Sequence, residues 1–164
     1  MDSTDSISSS KSANDRQTSA QVAARESFLP LLREFVRAYQ SFQIYDEDHI
    51  RQLGLTCPQF DVIATLGNTP GMTMHQLAEK TLVTKGTLTG IVDRLEKKRL
   101  VRREVPPNDR RCFVIVLTPE GEQVFEEVFP VHMAYLKERF NRLSESEFQQ
   151  ALQVCKRLRE VFSR

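Results

Sequence analysis

Apolar residues recur at helical spacing along most of this chain, and the exceptions are short and grouped. Phe28, Leu31, Leu32, Phe35, Val36, Tyr39 and Phe42 form one stripe at three- and four-residue intervals. It predicts a long first helix from about Gln21 to Leu53, with Gly54 as its stop and Pro30 in a first turn or at a kink. Thr56-Cys57-Pro58-Gln59 opens a second helix as a capping box, with Phe60, Ile63, Ala64 and Leu66 as its core side and Gly67 as its end. Thr73-Met74-His75-Gln76 opens a third in the same way. Thr84 is placed to cap a fourth, in which Leu88, Ile91, Val92 and Leu95 share one face. The opposite face carries Lys85, Thr87, Thr89, Gly90 and Arg94, all small, polar or basic. The pattern then changes to strand-like runs, Leu100–Val105 and Cys112–Leu117, around the turn Pro106-Pro107-Asn108-Asp109-Arg110-Arg111. Two further helices follow. Thr118-Pro119-Glu120 starts one, with Val124, Phe125, Val128, Phe129, His132, Tyr135, Leu136 and Phe140 along it and Pro130 as a bend. Ser144 and Glu147 box the other, with Phe148, Leu152, Cys155, Leu158 and Phe162 as its apolar side.

Residues 1 to about 20 break this pattern. They are rich in Ser, Thr, Asp and Asn, and the expectation is a disordered or loosely attached tail. The remaining 21–164 reads as one domain. The helices at its two ends have apolar faces too broad for the small module between them, so packing on a second copy of the chain is expected.

Charge sharpens the reading of that central module. The whole chain carries a net +1. Thr84 to Arg111, however, holds nine basic and four acidic residues, a local +5 that leaves −4 on the rest. A basic patch on an acidic body is the footprint of a phosphate-binding surface. A helix whose polar side is small and basic can pack by one face and enter a DNA major groove by the other. Glycine at 86 and 90 permits close approach of backbone to DNA, and Thr87 and Thr89 can contact base edges.

Three cysteines, Cys57, Cys112 and Cys155, are far apart and odd in number, and no signal peptide or membrane-length apolar run is seen. The expectation is a reduced, cytoplasmic protein without a disulfide framework. His49, His75 and His132 are scattered without metal-ligand spacing, so neither metal nor cofactor is expected. No nucleophile–base pair or phosphate loop points to an enzyme.

The ordered motifs resemble the MarR family of winged helix-turn-helix transcription regulators. The resemblance rests on Leu55-Thr56-Cys57-Pro58-Gln59-Phe60-Asp61-Val62, on Leu77-Ala78, on Thr84 through Lys98 as recognition helix, and on Asp109-Arg110-Arg111 followed by Leu117-Thr118-Pro119-Glu120-Gly121. It implies a mostly α fold with a small β-hairpin wing, in which a winged lobe sits on a helical dimerisation body. Dimerisation helices would span about 21–53 and 118–163, the DNA-binding lobe about 56–117, the helix-turn-helix about 73–98 and the wing about 100–117. The resemblance further implies a homodimer on double-stranded DNA carrying an inverted repeat. DNA contacts would come from Thr73, Met74, Lys85, Gly86, Thr87, Thr89, Gly90 and Arg94, and from the wing residues Asp109, Arg110 and Arg111. A repressor released by a small aromatic effector is the expected mode, with Phe35, Tyr39, Phe42 and Phe60 as pocket candidates. The alternatives are a redox-responsive regulator and a winged-helix module that binds protein. The redox candidate is Cys57, whose place at a helix start favours thiolate. One departure stands out: Arg99 occupies the position, after the recognition helix, where the family usually has glycine. The turn there must be left-handed and strained, or must take another geometry.

Overall fold

The computed structural model describes residues 18–81, 83, 85–105 and 113–163, the Lys85 side chain apart. The described elements are α1 (Ser19–Ala23), α2 (Leu29–Gln52), α3 (Cys57–Leu66), β1 (Met72–Thr73), α4 (Met74–Lys80), α5 (Lys85–Lys97), β2 (Val101–Glu104), β3 (Val114–Leu117), α6 (Pro119–Phe140) and α7 (Glu145–Phe162). The fold is mostly α with a small antiparallel sheet. The chain divides into two compact units, residues 1–42 and 43–164.

In the first unit the expected single helix from about 21 is in fact two. The short α1 is boxed by Thr18 and Gln21 and ends at Ala24. α2 restarts at Leu29, which puts Pro30 in its first turn. A helix running through from α1 would need the Pro30 nitrogen to donate to the Glu26 carbonyl, which proline cannot do. The apolar stripe from Phe28 to Phe42 is 42 to 59 % exposed.

In the second unit one core gathers the ends of α2, all of α3 to α5, the sheet and the first half of α6. α2 stops as expected at Gly54, which takes a left-handed φ of 78° while the Leu55 amide donates back to Ile50. Gly67 also ends α3, for a different reason. The left-handed residue of that turn is Asn68, whereas a Cβ on Gly67 would overlap the Phe125 ring.

The sheet has three strands in the order β1-β3-β2. The hairpin β2–β3 was expected; β1 was not. Its two residues pair antiparallel with Ile115 and Val114 of β3, which ties the start of α4 to the wing. Val116 and the Gly71 turn then pack so closely that a Cβ on Gly71 would strike the Val116 side chain.

α6 continues through Pro130 to Phe140. Phe125 and Val128 in its first half are buried in the core and His132 just past its middle is buried too, so this helix completes the lobe as well as extending from it. α7 buries nothing. Cys155, on the apolar side of that helix, is exposed.

Candidate nucleic-acid interface

α5 is held by one side and bare on the other. Leu88, Ile91, Val92 and Leu95 are no more than 1 % exposed, a core contribution of roughly 1.5–3 kcal/mol each. Gly86, Thr87, Thr89 and Arg94 face outward, and Gly90 is half-buried. A Cβ added at Gly86 or Gly90 would meet no neighbouring atom within 4 Å among the described residues, so their packing does not require glycine at either position. Glycine inside a helix costs about 0.5–1 kcal/mol relative to alanine. The cap expected at Thr84 lies outside the described residues, as does any statement on the Lys85 side chain.

α4 presents its first turn beside this face. The Thr73 hydroxyl accepts from the Gln76 amide at 3.2 Å, and Gln76 Oε1 accepts from the Thr73 amide at 2.9 Å. Thr73 and Met74 are both half-buried, Met74 against the core. Thr81 closes α4, its hydroxyl donating to the Leu77 carbonyl at 2.8 Å.

The wing strand β2 is clamped to α5 by Arg103. Its guanidinium donates to Asp93 Oδ1 at 2.5 Å and also to Glu96. The hydrogen bond to Asp93 is the main reason its pKa is raised, so the guanidinium stays charged. Arg103 had counted only as one of nine basic residues. The signal that could have found its role is the neighbouring pair of acids on the recognition helix, Asp93 and Glu96, one turn apart. Arg102 pairs with Glu104 at 2.6 Å. Arg94, Lys97, Lys98 and Arg99 remain exposed around the end of α5. Asp109, Arg110 and Arg111, the expected wing tip, lie outside the described residues.

Arg99 resolves the glycine question. It adopts φ 60°, the left-handed region, and the Leu100 amide donates back to Leu95 at 3.0 Å to close the helix. The cost is about 1–2 kcal/mol for a residue with a Cβ. Neighbours hold the turn in place. The Thr118 hydroxyl donates to the Arg99 carbonyl at 2.5 Å, the Thr118 amide donates to Leu100, and Gly121 packs where a Cβ would overlap the Leu100 carbonyl.

The expected effector and redox residues fall in both units. Phe60 belongs to the core, 8 % exposed, with its ring against Phe129 and edge-on to His132. Helical spacing marked its face as a core face, and that face meets α6. Phe35, Tyr39 and Phe42 lie in the 1–42 unit on the exposed stripe of α2. Cys57 contradicts the thiolate expectation. Burial first, and then Asp46, which accepts from its thiol at 3.6 Å, push its pKa up to about 12. The helix start was visible in sequence; the carboxylate from the preceding helix was not. Among the described residues no group of three or more His, Cys, Asp or Glu is arranged to hold a metal, and no helix is long and apolar enough to cross a membrane.

A model of the MarR family matches residues 53–111. The HTH-type transcriptional regulator MhqR of Bacillus subtilis (strain 168) is 32 % identical over 133 residues, which cover 81 % of this chain and 92 % of that protein. The structure of BpsR from Bordetella bronchiseptica, whose DNA binding is regulated by 6-hydroxynicotinic acid, superposes with a TM-score of 0.69 at 26 % identity, covering 81 % of this chain and 93 % of BpsR. Sco3205 of Streptomyces coelicolor, a MarR family regulator solved in complex with DNA, shares the fold with a TM-score of 0.74 at 23 % identity, covering 91 % of this chain and 92 % of its own.

Proposed function

The chain belongs to the MarR family of DNA-binding transcription regulators, and from that premise we propose a homodimeric cytoplasmic repressor that binds an inverted-repeat operator and is released by a small aromatic ligand. The observation that carries the reading is the two-sided α5. Its apolar face is sealed in the core, while its polar face holds two glycines that the chain's own packing does not need. Close approach by another backbone, such as that of DNA, explains glycine at 86 and 90.

In this reading Lys85, Gly86, Thr87, Thr89, Gly90 and Arg94 meet the major groove, and Thr73 and Met74 bring the α4 start to a phosphate. Arg111, oriented by Asp109, and Arg110 reach the adjacent minor groove, where arginine is favoured by the negative potential. Arg103 holds the wing strand in register with α5. The exposed apolar faces of α2 and α7 support a dimer body within about 21–53 and 118–163, carrying lobes within about 56–117. The helix-turn-helix at about 73–98 and the wing at about 100–117 are the reading parts of each lobe. The regulation of BpsR by 6-hydroxynicotinic acid supports an aromatic acid as the class of effector. A protein-binding module would not need the basic polar face, and the raised pKa of Cys57 weighs against the redox reading.

The test is a binding assay on the DNA upstream of the protein's own gene, followed by a screen of aromatic acids for release. Salt-dependent binding to an inverted repeat and release by such an acid are expected. Binding without sequence preference, or with no dependence on salt, would contradict the proposal.

A further inference from the structure

Three elements beneath the recognition helix meet at a chain of polar groups sealed by aromatic rings. His132 of α6 is 1 % exposed. Its Nε2 lies 3.0 Å from Asp46 Oδ1 of α2, and its Nδ1 lies 2.9 Å from Nδ1 of His49, also of α2. Cys57 of α3 donates to the other oxygen of Asp46. The Tyr135 ring stacks on His49 at 3.9 Å, and Phe60 closes on His132 edge-first. Sequence reading passed these histidines over because 83 residues separate them.

The proton arrangement follows from the donors and acceptors. Asp46 accepts on both oxygens, so His132 donates from Nε2 and offers the lone pair of Nδ1. His49 must then donate from its own Nδ1. One added proton, whichever ring carries it, still leaves a single N–H at the contact. A second would turn the remaining lone pair at the contact into an N–H, leaving two N–H groups and two positive rings facing each other at 2.9 Å.

We infer that His49 and His132 form an acid-operated latch that joins the end of α2 to the middle of α6, closed with at most one added proton and forced open by a second. Asp46 is the one carboxylate shown in hydrogen-bond contact with the pair, and it can offset only one positive charge. The other facing groups give no relief. From α3, Cys57 holds its proton up to about pH 12. From α6, Tyr135 stays neutral, and Arg139 adds positive charge over the Tyr45 ring. Farther along α2, Asp48 is paired with Arg51 at 3.5 Å, and Glu47 lies on the Cys57 side.

The direction of the effect is set. Burial first, and then the charge on His132, lower the pKa of His49 below its ordinary 6.5, with Asp46 in partial opposition. Below the ordinary value the unfolded chain therefore binds the proton more tightly than the folded one, and stability falls as the solution is acidified.

Imidazole proton–nitrogen spectra of the full chain, from about pH 8 to about pH 5, test the latch directly. The expected result at the neutral end is His132 protonated on Nε2 and His49 on Nδ1. Both rings protonated on Nε2 would overturn it. His49→Gln supplies the second arm, because the amide can still donate to His132 but cannot titrate. The fall in Tm over the same range should be at least halved in the variant. A merely structural role would lower Tm equally at every pH, and parallel curves would overturn the latch.

Discussion

α5 and α7 are written in the same code and meet different fates. Both repeat apolar residues at helical spacing and polar ones between. In α5 the four apolar residues are no more than 1 % exposed, whereas in α7 Phe148, Leu152, Val154 and Phe162 range from 38 to 78 %. Periodicity shows that a helix has a face to bury and says nothing about which molecule will bury it. α5 finds its partners in α3, α4 and the sheet. α7 has none of comparable extent among the described residues of its own unit, and the proposed dimer would supply one. The comparison also runs across α5 itself, where the sealed side accounts for folding and the bare side is the one proposed to read DNA.

The sharpest way to break the comparison is to truncate one side of α5. Leu95→Ala should destabilise the chain by about 2–5 kcal/mol in a denaturant titration, because a fully buried leucine leaves a cavity. A loss below about 1 kcal/mol would mean the α5 core is looser than described. On the α7 side, Leu152→Glu should leave the unfolding of the lobe near wild type yet raise the dimer dissociation constant at least tenfold, about 1.4 kcal/mol, in sedimentation equilibrium. An unchanged association would move the dimer contact off this face. In the wing, Arg111→Ala should weaken operator binding by roughly tenfold with dimerisation intact, in keeping with the loss of one arginine contact. The smallest effect separates folding from function within one residue. Gly90→Ala should stabilise the helix by about 0.5–1 kcal/mol while weakening DNA binding, since the added methyl meets open space in the chain and the groove wall in the complex. A variant that is more stable and binds equally well would remove the close-approach argument.

What could be read from the sequence was set by short-range physics. Thr56, Thr73, Thr118 and Ser144 each cap the helix expected of them, because a cap and its partner lie within one turn. The left-handed alternative at Arg99 was legible for the same reason, as a local rule with a local exception. The misses are contacts between distant parts of the chain. β1 is two residues long and exists only because Met72 pairs with Ile115. Cys57 was judged by its helix, but its chemistry is set by Asp46 from the helix before. The Arg103 clamp needed the register of β2 against α5, and the His49–His132 contact needed the packing of α6. Cys155 sits on an apolar face of its helix yet is exposed, and helical spacing could not show what that face meets. The outward-facing positions of α5 were legible because they follow from which side is buried. The wing tip at 106–112 is expected from the motif alone.

The account turns on two copies of the α5 polar face reading one duplex. Sedimentation of the full chain with an inverted-repeat duplex from upstream of its gene measures this directly. The predicted result is a complex of two chains per duplex, with affinity falling as salt rises and half-sites about one helical turn apart. A stable monomer that binds one chain per duplex, or that ignores the duplex at low salt, would contradict it.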